Sequence, residues 1–231
     1  MLVHVAFTPD EAAKAPTGIV IDVIRATSTI CQALDAGYER VWCAAEVEDA
    51  RALRVNGEVT LGGERRGVRI EGFDLGNSPS EYLEPRSSTL AMSTTNGTRA
   101  IVTAAERCER VYIASLLNLA AVTEVARGHG DDVAVFCAGV KGAFALDDAY
   151  VAGRVAEGLG FERSDAAEAA ARLARSYAGA EDVFRASRSG RDLIEHGPEL
   201  EADIAHRARE SVLDVVPRFV AMHGVAAELR P

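Results

Sequence analysis

The feature that most restricts this chain is an alternation of short apolar, β-branched runs with segments of helical spacing. Val3–Thr8, Ile19–Ile24, Arg40–Ala45, Val59–Gly62, Thr89–Thr95, Val111–Leu117 and Val133–Cys137 read as strands. Thr27–Ala36, Val47–Arg54, Thr98–Ala105, Leu119–Ala126 and Leu146–Leu159 read as the helices between them. In the first helix Ile30, Ala33 and Leu34 share one face and Gly37 marks the end. Such alternation predicts an α/β fold, a mainly parallel sheet flanked by helices. A polar stretch with five glycines, Gly62 to Pro85, reads as one large loop of the kind that carries function. From Ser164 to Ser211 the chain turns rich in Ala, Glu, Asp and Arg, with Gly179, Gly190 and Gly197 as breaks. That predicts two to four helices packed on the sheet. Val212–Val220 then reads as a closing edge strand, because Pro217 has no amide proton to give a central ladder. Residues 1–163 are expected to form the α/β core, and residues 164–231 a helical segment with that strand, within one compact unit.

Bulk properties bound the function. The chain has 231 residues, 48% hydrophobic and 26% charged, which is globular composition. Its net charge of -10 argues against nonspecific nucleic-acid binding, which needs a basic surface. An anionic ligand would therefore need a local cationic pocket or a metal ion. No apolar run reaches the roughly 20 residues of a membrane span, and the N-terminus reads as a strand instead of a signal peptide. Cys31, Cys43, Cys108 and Cys137 form no C-x-x-C pair and read as free thiols. The expectation is a soluble cytoplasmic protein, without nucleic-acid or membrane partners, and a symmetric homodimer by the commonest assembly prior.

In open parallel sheets, ligands bind beyond the carboxyl ends of the strands. Here those ends carry polar clusters. Asp22 leads into Arg25-Ala-Thr-Ser-Thr29, Gly62-Gly leads into Glu64, and Ser93 leads into Thr94-Thr-Asn-Gly-Thr-Arg99. Cys137 leads into Ala138-Gly-Val-Lys-Gly142, with Asp147 and Asp148 opening the next helix. Two clusters combine an arginine, hydroxyls and a helix N-terminus, which suits an oxyanion. The plainer alternative is N-capping alone. Asp22 interrupts an apolar run, and a buried carboxylate is costly without a partner or metal. Hard carboxylate oxygens near a phosphate favour Mg²⁺.

Several phosphate chemistries are excluded. The chain has no G-x-x-x-x-G-K-[ST] and no G-x-G-x-x-G. The residue six beyond each cysteine is Gly37, Asp49, Ala114 or Ala143, never the arginine that closes a cysteine-phosphatase loop. Ile24 stands where a D-x-D nucleophile pair would need its second aspartate. His4, His129, His196, His206 and His223 all lie outside the clusters, so no zinc or phosphohistidine site is indicated.

Asp22-Val-Ile-Arg-Ala-Thr-Ser-Thr29, Gly62-Gly-Glu64, Glu71-Gly-Phe-Asp-Leu-Gly-Asn-Ser-Pro79, Thr94-Thr-Asn-Gly-Thr98 and the segment from Cys137 to Asp148 stand in an order and spacing that resemble the 2-phosphosulfolactate phosphatases. The closing Asp214-Val-Val-Pro217 is similar too, so the likeness runs from about residue 2 to residue 220. The resemblance implies a distinctive α/β fold and Mg²⁺-dependent removal of phosphate from 2-phosphosulfolactate to give sulfolactate, a step toward coenzyme M. Mapped onto this chain, Arg25 with Thr27, Ser28 and Thr29 would hold one anion. Asn77 and Ser78 with Thr94, Thr95, Asn96, Gly97, Thr98 and Arg99 would hold another. Asp22 and Glu64 are the first choices for metal, with Asp74 and Asp147 as further metal candidates and Asp22, Arg25 and Asp148 as catalytic groups. Ala145 and Asp147 depart from the Ser and Glu expected there. Two rivals remain: a phosphatase of another small phosphorylated hydroxy acid, and a noncatalytic sensor of a phosphorylated metabolite.

Overall fold

The computed structural model describes residues 1–54, 58–65 and 67–231. Its elements begin with β1 (Leu2–Ala6), β2 (Thr17–Ile21), α1 (Ala26–Asp35), β3 (Arg40–Ala44), α2 (Val47–Ala52), β4 (Val59–Arg65) and β5 (Val68–Arg69). After a 3-10 turn at Pro79–Tyr82 come β6 (Thr89–Ser93), α3 (Thr95–Arg107), β7 (Arg110–Ala114), α4 (Leu119–His129), β8 (Val133–Cys137) and α5 (Leu146–Leu159). The chain ends with β9 (Glu162–Arg163), α6 (Asp165–Arg175), α7 (Ala180–Ala186), α8 (Arg188–Glu195), α9 (Pro198–Arg207), β10 (Arg218–His223) and β11 (Ala226–Arg230). The fold is α/β, as the alternation predicts.

All strands join one sheet in the order β5-β4-β6-β3-β11-β10-β7-β2-β8-β1-β9. Two parallel blocks, β4-β6-β3 and β7-β2-β8-β1-β9, flank the antiparallel hairpin β10–β11. Because β3–β11, β11–β10 and β10–β7 are all antiparallel, the blocks run in opposite senses along the ladder. A flat sheet would send their carboxyl ends to opposite edges. A twist of about 20–25° per strand, summed over the five pairings from β6 to β2, turns one block far round relative to the other. The ends do meet: a Cβ on Gly97, just past β6, would lie 3.0 Å from Asp22 Oδ2, just past β2.

The hairpin corrects the reading of Val212–Val220 as an edge strand. Pro217 falls just before β10, so its missing proton is not needed, and its carbonyl accepts the Ile113 amide at 2.8 Å. The polar stretch from Gly62 to Pro85 is also less of a loop than expected. It holds the end of β4, the β4–β5 hairpin and the 3-10 turn, with residue 66 outside the described residues. The segment 164–211 forms four helices, α6 to α9. Gly179 and Gly197 precede α7 and α9, but Gly190 lies inside α8, packed against the Phe184 carbonyl.

Alternate strand residues enter opposite layers, which is why the central strands are largely apolar. Val3, Val5, Ile19, Ile21, Val133 and Val135 pack under α4, α5 and α6. Ala6, Val20, Ile113, Ala134 and Phe136 face the opposite layer with α1 and α3. No helix among the described residues is long and apolar enough to cross a membrane.

Candidate active site

The turns after β2, β4, β6 and β8 converge on one cavity of about 550 Å³. Asp22, Arg25, Glu64, Asn77, Thr94, Thr95 and Asn96 all line it, so the strand-end clusters do come together. They do not all do what the sequence suggests.

The first cluster is closed to a ligand. Asp22 caps α1 itself: its Oδ1 accepts the Ala26 amide at 3.3 Å and its carbonyl accepts the Thr27 amide at 2.8 Å. The three hydroxyls are buried and serve the backbone. Thr27 Oγ1 accepts the Asp22 amide at 3.1 Å, Ser28 donates to the Val23 carbonyl at 2.9 Å, and Thr29 donates to the Asn77 carbonyl at 3.0 Å. Beyond Asp22 and Ile24, only Arg25 of this cluster reaches the cavity, where Glu64 pairs with it at 2.9 Å. Glu64 also accepts the Gly67 amide. It is therefore held as the counter-charge of Arg25.

The second cluster is open. Thr94 occupies the N-cap of α3 without capping it by its side chain. Among the described residues the amides of Thr95 and Asn96 have no backbone acceptor, and both residues line the cavity. Such amides bind oxyanions. Gly97 is required by crowding, since a Cβ there would also lie 2.9 Å from Ala26 Cβ and Thr94 Oγ1. The Thr98 hydroxyl is buried a turn deeper, without a partner. Asn77 turns toward the cavity with a buried, unpartnered Oδ1. Ser78 does not: it caps the 3-10 turn, and its hydroxyl donates to Asp203.

Two expected residues lie elsewhere. Arg99 is half exposed and pairs with Asp10 outside the cavity. Asp74 pairs with Arg54 and accepts the Leu61 amide at 2.8 Å, so it braces the β4 region.

Three buried carboxylates stand together behind the turns. Burial pushes Asp22 up to about 6, with Asp147 and Glu64 adding to the rise against the Ala26 amide. Burial also pushes Asp147 up to about 6, against the Ser189 hydroxyl beside it, and its Oδ1 has no partner. Asp148 is raised well above the usual range by burial and by Asp147 and Asp22. Its two oxygens accept the amides of Val23 at 2.9 Å and Gly139 at 3.0 Å. Asp148 thus ties the Asp22 turn to the β8–α5 turn and stays out of the cavity.

Other lining residues had no role in the sequence reading. Arg65, beyond Glu64, donates to Ser93 Oγ at 2.9 Å and the Ala45 carbonyl at 3.0 Å. Lys141 arrives on the β8–α5 turn. Ser189, Asp192, Leu193 and His196 present one face of α8, whose i, i+3, i+4, i+7 spacing was the available signal. His196 closes that wall against Gly67 and corrects the placing of all histidines away from the site.

A model of the 2-phosphosulpholactate phosphatase family matches residues 4–221. The chain belongs to this family. Curated relatives extend across nearly the whole length. One from Thermus thermophilus is 38% identical over 225 residues, covering 94% of each chain. One from Synechococcus sp. is 39% identical over 230 residues, covering 92% of this chain and 93% of its own. One from Pseudothermotoga lettingae is 33% identical over 221 residues, covering 95% and 96%. Each is named "Probable 2-phosphosulfolactate phosphatase". In this member of the family the turns after β2, β4, β6 and β8 face one cavity, with an open helix N-terminus beside a buried carboxylate.

Proposed function

We propose that the cavity hydrolyses 2-phosphosulfolactate to 3-sulfolactate and phosphate in a Mg²⁺-dependent reaction. The observation that carries this reading is the contact of the open α3 N-terminus with Asp22 in a cavity that also holds Arg25. The α3 amides and Arg25 suit the phosphoryl oxygens, whose charge they would balance in both ground and transition states. Asn77 would orient the ester through its free Oδ1 or, reversed, its amide.

The residues also fit a hard divalent cation. Asp147 has an unpartnered buried oxygen, burial raises the proton affinity of both Asp22 and Asp147, and Asp147 adds to the rise at Asp22. No three Asp, Glu, His or Cys side chains form a ready-made cage among the described residues. Mg²⁺ asks for less, one or two carboxylates with waters and substrate oxygens completing its shell. Asp22 and Asp147 would hold it, and it would supply charge neutralisation for the phosphoryl group and a more acidic water. Glu64, spent on Arg25, would tune that arginine instead.

Phosphate release from 2-phosphosulfolactate, followed with Mg²⁺ and with EDTA, tests the reading. Release is expected only with Mg²⁺. Asp22→Asn is expected to lower turnover by orders of magnitude with an unchanged circular dichroism spectrum. Unchanged release in that variant would remove Asp22 from the chemistry.

A further inference from the structure

We infer that Lys141 is the specificity-determining cation of the cavity, the group that receives a second, non-phosphate acid of the ligand. The assignment rests on the phosphatase reading of the same cavity. The sequence placed a second anion on Asn77, Ser78 and the cluster from Thr94 to Arg99, but the cation of that set, Arg99, is engaged with Asp10 outside the site. A phosphorylated hydroxy acid with a further sulfonate or carboxylate still needs a cation at its other end. Among the cavity's cations Arg25 is neutralised by Glu64. Arg65 spends its guanidinium on Ser93, the Ala45 carbonyl and the Glu64 carbonyl, so it is fixed in the wall. Lys141 lines the cavity with no carboxylate within ion-pair distance among the described residues, although Asp192 lines the same space from α8.

The turn that carries Lys141 is built to hold it there. Val140 and Ala143 exchange both backbone hydrogen bonds at 3.0 Å, and Lys141 sits between them at φ 54°. A lysine in the left-handed region is uncommon, because its Cβ crowds the backbone. The root of the turn, Gly139, needs φ 67° and has no room for a Cβ, which would lie 2.5 Å from the Ala143 carbonyl oxygen. The Gly139 amide is fastened to Asp148, whose other oxygen fastens Val23 next to Asp22. One buried carboxylate therefore registers the Lys141 turn to the Asp22 turn. Composition points the same way. Lys14 and Lys141 are the only lysines in a chain whose Lys and Arg together number 25. A compact, mobile ammonium suits a single acid group at a cavity mouth better than a rigid fork does.

Calorimetric binding tests the assignment without relying on turnover, with 3-sulfolactate and inorganic phosphate as separate probes and the intact chain in Mg²⁺ buffer. Lys141→Ala is expected to weaken 3-sulfolactate binding tenfold to hundredfold and phosphate binding at least tenfold less. Lys141→Arg is expected to restore part of the 3-sulfolactate loss. Equal weakening for both probes, no weakening for 3-sulfolactate, or no binding of 3-sulfolactate by the unsubstituted protein would each overturn the assignment. Failure of the phosphatase reading shows separately, as absence of Mg²⁺-dependent phosphate release from the unsubstituted protein.

Discussion

At Asp22, Asp147 and Asp148 three acids are buried side by side, and their titration gives the metal-free protein a defined pH response. Burial pushes Asp22 and Asp147 up to about 6 in the fold, well above the usual carboxylate range of about 4. Between those limits the folded state binds protons that the unfolded state has released. The stability tied to these groups is therefore full below about pH 4 and lost as pH rises through 6. Asp147→Asn in EDTA is expected to raise stability at pH 8 by on the order of a few kcal/mol, read as a higher thermal midpoint, and to change little at pH 4. Added Mg²⁺ is expected to stabilise the unsubstituted protein more at pH 8 than at pH 5, because the cation competes with those protons. Differential scanning fluorimetry across pH reads both, and an Asp147→Asn gain equal at the two pH values would refute the account. Asp22 was legible in the sequence because an acid inside an apolar run demands a reason. Arg99 misled because its string resembles an anion nest. Four residues into α3 it sits about 6 Å up the helix from the first amides, and its side chain reaches Asp10. Arg99→Ala is expected to leave KM for 2-phosphosulfolactate within about twofold, and a tenfold rise would return Arg99 to the site.

Single elements show what spacing alone hides. Asp203 and Arg207 stand at i, i+4 on α9. In the fold Arg207 is fully buried and donates to Asp203 at 3.1 Å and to the Asn77 carbonyl at 3.3 Å. Asp203 in turn accepts from Ser78 and Ser80. Helix α9 thereby fixes the segment that aims Asn77 at the cavity, while α8 forms a wall of it. The C-terminal helices were legible as helices from composition. Their part in the site was not, because the groups they meet lie more than a hundred residues away in the chain. Burial pushes Arg207 down to about 10, so the guanidinium stays charged at neutral pH, and removing its carboxylate leaves a buried charge unpaired. Asp203→Ala is expected to cost about 3–5 kcal/mol by urea denaturation. The double variant Asp203→Leu, Arg207→Met is expected to cost less than Asp203→Ala alone, since no charge remains buried. A double variant as unstable as the single one would mean that the loss is one of packing.

For the whole molecule, the arrangement of the sheet decides how the chain unfolds. The β/α alternation made most strands of the two parallel blocks legible, and β2, β6 and β8, buried on both faces, are largely apolar. Their junction was not legible. Pro217 pointed to an edge, Arg218–His223 is exposed along most of its length, and Ala226–Arg230 lies after a tight turn at Gly224. Only the ladder reveals that β11 pairs with β3, that β10 pairs with β7, and that no other strand pairing joins the two blocks among the described residues. An edge strand could be removed at modest expense. A central hairpin could not, because its loss would leave β3 and β7 each with a bare edge and would expose Ala226, Ala227 and Leu229 contacts in the core. The cavity draws Asp22 from one block and Thr94–Asn96 from the other, so the active site depends on that junction too. The intact chain is expected to unfold in urea in one transition, with near-ultraviolet circular dichroism and activity lost together. Truncation after Pro217 is expected to abolish activity and give a chain that binds a hydrophobic dye and lacks a cooperative transition. A truncated protein that keeps the intact slope and midpoint would show that the two blocks hold together without the hairpin, through α3, which touches both.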